Sequence, residues 1–230
     1  GGGVVVGGGG GGGVVVWGGG GGGGGGGLKD KIPLLWSIAL PVITFFMNYR
    51  SVTNEWELAY WWVYIVVCSY VYGVGVYALQ LKEYGSLKTI FSINNSPWAF
   101  FLGNLLTQIM FSFISVNLLN LIVVILLPLS FLRLFLYSFI TIIACLPVAF
   151  FSYNLTLIKK VHANTINSIF TMLIFGLFIL LNTNIELNKY NPLSILSNDL
   201  IEHKNMDVFK YVTFSIFLVF ISMYSIVKFE

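Results

Sequence analysis

The chain has 230 residues, of which 57% are hydrophobic and only 9% charged, with a formal net charge of +3. Ordinary soluble domains carry about 25% charged residues, and a water-soluble core of this size could not hide so much apolar surface. The composition therefore excludes a typical soluble domain and points to insertion in a lipid bilayer.

Residues 1–27 hold most of the 25 glycines, broken only by Val4 to Val6, Val14 to Val16 and Trp17. This stretch reads as a placeholder or an engineered segment and enters no argument about the fold. It is not a phosphate-binding loop, which ends in Lys followed by Ser or Thr between a strand and a helix. Residues 28–230 form a single transmembrane domain.

Charges mark where the chain must return to water. The charge-free gaps run from Lys31 to Arg50, Glu57 to Lys82, Lys88 to Arg133, Arg133 to Lys159, Lys160 to Glu186 and Lys210 to Lys228. A crossing needs about 20 apolar residues for about 30 Å of hydrocarbon, so each gap fits one span, the first and last only just. The prediction is an all-α polytopic protein with six transmembrane helices: Ile32 to Met47, Trp56 to Leu79, Trp98 to Leu126, Leu134 to Leu157, Ile166 to Leu181 and Val208 to Val227. Apolar residues run around all sides of these segments, as expected for helices facing lipid and each other. No ten-residue alternating pattern supports barrel strands.

The first helix follows Lys29 and Lys31, as a secretory signal would. It ends in Phe45, Phe46, Met47 and Asn48, without the small-residue cleavage site a signal needs. Pro147 falls inside the fourth helix and should kink it. Pro128 and Ser130 mark a tight turn before that helix, and the long loop from Asn182 to Asp207 has room for short helices. With the N-terminus cytoplasmic, inside basic residues are Lys29, Lys31, Lys82, Lys88, Lys159, Lys160 and Lys228. Those outside are Arg50, Arg133, Lys189, Lys204 and Lys210, a modest bias toward that orientation with both termini inside.

The link between the second and third helices runs Lys82-Glu83-Tyr84-Gly85-Ser86-Leu87-Lys88-Thr89-Ile90-Phe91 and ends in Asn95-Ser96-Pro97. Leu87, Ile90 and Phe91 share one face of a short helix by their spacing, with Lys88 on another. Such a helix would lie at the membrane surface or in a groove of a partner, unless it is an ordinary connection. Gly85 permits a tight turn, Glu83 and Lys88 offer rim charges, and the three apolar residues offer an anchor.

Within the spans, Asn104, Gln108, Ser112 and Ser115 share one face of the third helix, while Asn117 and Asn120 share another; Asn154 lies on the fourth. Two readings stay open for these residues: hydrogen bonds between helices, or a polar lining for a translocation path. Charged residues are missing from span interiors, which argues against a proton- or sodium-coupled carrier. Cys68 and Cys145 lie in apolar runs outside any CxxC pattern, and His162 and His203 lie in polar loops, so no metal site is expected. No His-Glu-x-x-His and no Gly-x-Ser-x-Gly occurs, and the chain is not expected to be an enzyme.

The link resembles the ABC-2 type permease family, which carries Glu-x-Gly-[Ser/Thr]-Leu after its second helix and then a Pro. Here these are Glu83, Gly85, Ser86, Leu87 and Pro97, followed by Gly103-Asn104-Leu105. The run Leu34-Leu35-Trp36-Ser37-Ile38-Ala39-Leu40-Pro41 is similar to the family's first helix, and Tyr190-Asn191-Pro192-Leu193-Ser194 is similar to its loop before the last helix. Asn104 stands where the family often has Lys.

The resemblance covers roughly residues 28–230 and implies the membrane subunit of a bacterial ABC exporter. It implies a coupling helix at residues 82–91 seated in a separate ABC ATPase, two copies of which hold ATP and Mg. It further implies a second permease chain, identical or not, and a helix along the cytoplasmic surface within residues 1–27. The chain itself lacks GxxxxGK[ST] and is expected to bind no cofactor. Small members of the family export amphipathic peptides, phenol-soluble modulins among them, or confer bacteriocin immunity. A hydrophobic or amphipathic cargo fits the apolar spans. Abundant Asn, Ile, Lys and Phe suit a low-GC bacterium and its cytoplasmic membrane, and no nucleic-acid partner is expected. The alternatives are a non-transporting scaffold or sensor subunit and a secondary carrier.

Overall fold

A computed structural model describes residues 32–93, 96–158, 162–181, 186–202 and 205–227. Among them the chain is almost entirely helical, without strands. The family-implied surface helix in residues 1–27, and His203, lie outside the described residues.

Helix α1 is Ile32–Asn48, with Pro41 inside it. A short turn follows, and at Asn54 a capping box starts the next helix: the Asn54 side chain and the Glu57 carboxylate each take a backbone N–H of the other's residue. From Glu55 to Glu83 the chain is one continuous helical rod, made of a 3-10 turn, α2 (Ala59–Tyr70), a π-helical stretch (Val71–Val76) and α3 (Tyr77–Glu83). Helix α4 (Ser86–Ile93) is the amphipathic link. Ser96 caps α5 (Pro97–Leu126) by accepting the Ala99 N–H at 3.3 Å, with Pro97 in the first turn where no donor is needed.

The expected kink at Pro147 is a break. Helix α6 (Phe131–Ala144) stops at Cys145, and α7 (Leu146–Tyr153) resumes with Pro147 in its first turn. The Val148 N–H reaches only to the Cys145 oxygen, at 2.9 Å. The carbonyl of Ala144 accepts the Tyr211 hydroxyl instead, and that of Ile142 accepts the Tyr70 hydroxyl at 3.0 Å. A 3-10 turn, Asn154–Leu157, ends this unit.

Helix α8 is Ala163–Leu181. The long loop does hold helical segments, a 3-10 turn at Glu186–Tyr190 and α9 at Pro192–Glu202. Asn191 is buried; its Oδ1 accepts the Leu193 N–H at 3.0 Å and its Nδ2 donates to the Leu177 oxygen at 2.8 Å. The Asn-Pro pair is thus an N-cap and first-turn proline that also tie α9 to α8. Helix α10 is Asn205–Val227.

Among the described residues, four helices are long and apolar enough to cross a membrane: Glu55–Glu83, Pro97–Leu126, Phe131–Leu157 and Ala163–Leu181. Six were expected. Helix α1 has 17 residues, or roughly 25 Å at 1.5 Å per residue, and the apolar run in α10 spans only Tyr211–Met223.

The rod Glu55–Glu83 is the axis of the fold. Inside its most apolar stretch 83% of residues are buried, against 33%, 33% and 17% for the other three. Helices α1, α5, α6, α7, α8 and α9 all pack on it. Its side chains Leu58, Trp62, Ile65 and Tyr70 are wholly enclosed. The surrounding helices turn apolar residues outward, such as Leu102, Leu106, Met110, Ile114 and Leu118 on α5. That is the arrangement lipid requires.

Two glycines make the axis possible. A Cβ on Gly75 would overlap the Ser152 carbonyl of α7, and one on Gly73 would overlap the Gln108 carboxamide of α5. Gly103 and Gly176 have open space where a Cβ would sit. Gly75→Ala should therefore destabilise the folded chain by about 1–3 kcal/mol, the usual cost of overpacking, while Gly103→Ala and Gly176→Ala should not. Thermal unfolding of the three variants in one detergent measures this.

Candidate functional site

The segment 82–91 begins where the axis ends. The Tyr84 N–H donates to the Gln80 oxygen at 3.0 Å and the Gly85 N–H to the Lys82 oxygen at 3.1 Å, closing the last turn. Gly85 has φ 73, and nothing lies within 4 Å of the place of its Cβ. Its role is conformational: the left-handed backbone turns the chain into α4, and a side chain would strain it.

Lys82 and Glu83 grip the connector between Leu157 and Ala163 from both sides. The Lys82 ammonium donates to the Thr156 oxygen at 2.5 Å and the Ile158 oxygen at 3.3 Å. The Glu83 carboxylate accepts the Ala163 N–H on Oε2 at 2.8 Å and pairs through Oε1 with His162 Nδ1 at 2.6 Å. The cation thus sits on carbonyls at the end of one helical run, and the anion caps the start of α8. Each charge meets the pole that attracts it. Neighbouring residues on a helix point about 100° apart, which is how two adjacent side chains reach opposite sides of one connector. Residues 159–161 of that connector lie outside the described set.

The other residues singled out from sequence divide by exposure. Tyr84 is 72% exposed. Leu87 is buried, at 2% exposure, so its side chain belongs to the bundle and not to the open surface. Ile90 and Phe91 are half-buried, and Phe91 meets Phe100 of α5 edge-on with ring centroids 5.9 Å apart. Ser86 opens α4; Lys88 lies on it, with its side chain outside the described set. Glu83 is engaged within the chain and is not a loose rim charge.

The polar residues of α5 and α7 are also turned inward. Asn104 donates to the Gly73 oxygen at 2.9 Å. Asn120 accepts the Trp62 indole N–H at 2.8 Å and donates to Ser138 Oγ at 3.2 Å, joining the axis, α5 and α6. Asn154 donates to Ser222 Oγ at 3.0 Å, tying the turn after α7 to α10. Asn117 Nδ2 donates to the Phe113 oxygen of its own helix, at 2.8 Å. Gln108 and Ser112 are buried, and their side-chain oxygens, with Asn117 Oδ1, have no hydrogen-bond partner among the described residues. Of the two readings open from sequence, interhelical bonding describes Asn104, Asn120 and Asn154.

Sequence reasoning missed His162 and the partners of Lys82. Little signal was available: the charge pattern placed the helix start at Ile166, behind Asn164 and Thr165, and only the observed start at Ala163 leaves the first turn needing an acceptor from elsewhere. Spacing alone does not find a carboxylate so distant in the chain. Cys68 and Cys145 are free and buried, and among the described residues no group of three or more His, Cys, Asp or Glu is placed to hold a metal. No family model, curated protein or solved structure matches the chain.

Replacing Lys82 by Met should leave the Thr156 and Ile158 carbonyls without their charged donor and lower stability by about 1–2 kcal/mol. Replacing Glu83 by Ala should speed amide exchange at Ala163 and the rest of the first turn of α8 several-fold, with the middle of α8 unchanged. Hydrogen exchange read by mass spectrometry separates the two effects.

Proposed function

We propose that this chain is the membrane-spanning half of an ATP-driven exporter of the ABC-2 type, moving a hydrophobic or amphipathic cargo, with ATP hydrolysis in a separate polypeptide. One observation carries the reading. A short amphipathic helix is set at the end of the most enclosed helix of the fold, across a glycine turn, and the adjoining Lys-Glu pair holds the next connector. A force on α4 reaches the axis and α8 together, which is what a coupling element must do. The absence of GxxxxGK[ST] from the sequence supports a separate source of energy.

In this reading α1 and α10 complete six crossings in a bacterial cytoplasmic membrane, with both termini and α4 on the cytoplasmic side. Two such chains work with two ATPases. The inward-turned amides of Asn104, Asn120 and Asn154 hold each chain together, and the cargo path runs between the two chains. The exposed Tyr84 and the half-buried Ile90 and Phe91 form the contact with the ATPase, with Leu87 fixing α4 to the bundle. Closure of the ATPases moves α4, and the π-helical stretch gives the axis a point at which to bend.

Two measurements test this. Tyr84→Cys should react with a membrane-impermeant maleimide only when the cytoplasmic side is exposed; Cys68 and Cys145 are buried and give little background. Replacement of residues 84–91 by Gly and Ser should weaken co-purification with the ATPase about tenfold or more. Labelling of Tyr84→Cys from the outside of intact cells would refute the assignment.

A further inference from the structure

A cavity of about 240 Å³ lies at the Glu55 end of the axis, the end opposite to α4. Its polar wall is Asn48, Ser51 and Glu57; its apolar wall includes Tyr60, Trp61 and Phe178. Among the described residues of the lining, Glu57 alone is charged. Its carboxylate is held in place: Oε2 accepts the Thr53 N–H at 2.6 Å and Oε1 accepts the Thr53 hydroxyl at 3.0 Å. The Asn54 N–H, at 3.4 Å from Oε2, adds a third bond. A carboxylate has about four acceptor positions, so these bonds fix Glu57 without exhausting it.

The described basic side chains at this end of the axis are engaged elsewhere. The Arg50 guanidinium lies over the Tyr49 ring and bonds its hydroxyl, and Arg133 pairs with Glu55 at 3.6 Å. The two aromatic residues of the wall that carry a polar atom, Tyr60 and Trp61, have it occupied. The Tyr60 hydroxyl donates to Asn198 Oδ1 at 2.8 Å, and the Trp61 indole N–H donates to Thr44 Oγ1 at 3.1 Å. What they offer the cavity is ring surface, which attracts cations as well as apolar groups.

We propose that this cavity binds the head of a cationic amphiphile, an organic ammonium on an apolar stem. A fixed carboxylate with no cation beside it in the described lining selects positive charge. The rings and the apolar wall select an alkylated ammonium over a hydrated metal ion. The size decides how much enters: drug-sized pockets begin at about 300 Å³, so this one takes a head and the first part of a stem, with the rest left in the surrounding lipid. The inference depends on the cavity alone and stands or falls apart from the export reading.

The test is calorimetric titration of the full chain in maltoside micelles with hexyltrimethylammonium, and with hexyl sulfate as the chain-matched anion. The cation should bind saturably and the sulfate should not. Glu57→Gln should weaken cation binding on the order of tenfold, the scale of one charge pair near a surface. Glu57 also caps a helix, so Ser51→Lys is the second variant. It leaves the cap in place, puts a cation into the polar wall, and should weaken binding by at least as much. Equal binding of cation and sulfate, or binding undiminished in a folded variant of either kind, would overturn the proposal.

Discussion

A backbone group inside hydrocarbon has no water to bond, so each departure from regular helix must find its partner within the chain. The architecture turns on how this is met along the axis. The π-helical stretch Val71–Val76 widens the helix between two neighbours, and side chains of those neighbours serve it. The Ser152 hydroxyl donates to the Tyr70 oxygen at 3.1 Å, and the Asn104 amide donates to the Gly73 oxygen at 2.9 Å. The break at Cys145 is treated the same way, with the Tyr70 and Tyr211 hydroxyls donating to its carbonyls. Ser152, Asn104, Tyr70 and Tyr211 are thus placed where the backbone needs them. They also join helices that apolar packing alone would leave free to slide in lipid.

Charge follows a parallel rule at the ends of the axis, where the ionised groups are set to work. At one, Glu57 closes a capping box and Glu55 pairs with Arg133, beside the stacked rings of Trp56 and Tyr137 at 3.8 Å. At the other, Lys82 and Glu83 clasp a connector. The axis is therefore pinned at both ends and supported in the middle, while the helices around it present mostly apolar surface. Helix α4 therefore adjoins the most enclosed helix among the described residues and not one of the periphery.

Much of this was legible in the sequence for simple reasons. Charge-free gaps located the helices because ionised groups avoid hydrocarbon, and the turn signal at Asn95-Ser96-Pro97 set the start of the third, so Trp98 to Leu126 differs from the observed Pro97–Leu126 by one residue. Pro147 announced a defect in the fourth helix because it lacks an N–H, and Leu87, Ile90 and Phe91 announced α4 by their spacing. Three things were hidden. The second helix shows no more apolar character than its neighbours, so its central position is a matter of packing and not of composition. The direction of the polar face of α5 depends on which helix approaches it, which periodicity does not specify. The partners of Glu83 are distant in the chain, and the residue looked like a surface charge for that reason. The six expected crossings came from gap lengths alone; among the described residues four helices have the length and hydropathy of a crossing, while α1 has 17 residues and the apolar run of α10 covers Tyr211–Met223.

The two glycines of the axis leave the lineage unequal freedom to drift. At position 75 the obstacle is a main-chain oxygen of α7, which no exchange of residues removes, so glycine there is permanent as long as these helices touch. At position 73 the obstacle is the tip of the Gln108 side chain, which a shorter residue would withdraw. Alanine or serine at 73 is admissible when 108 shrinks at the same time. Among homologous chains the two positions should vary as a correlated pair, with 75 invariant beside them.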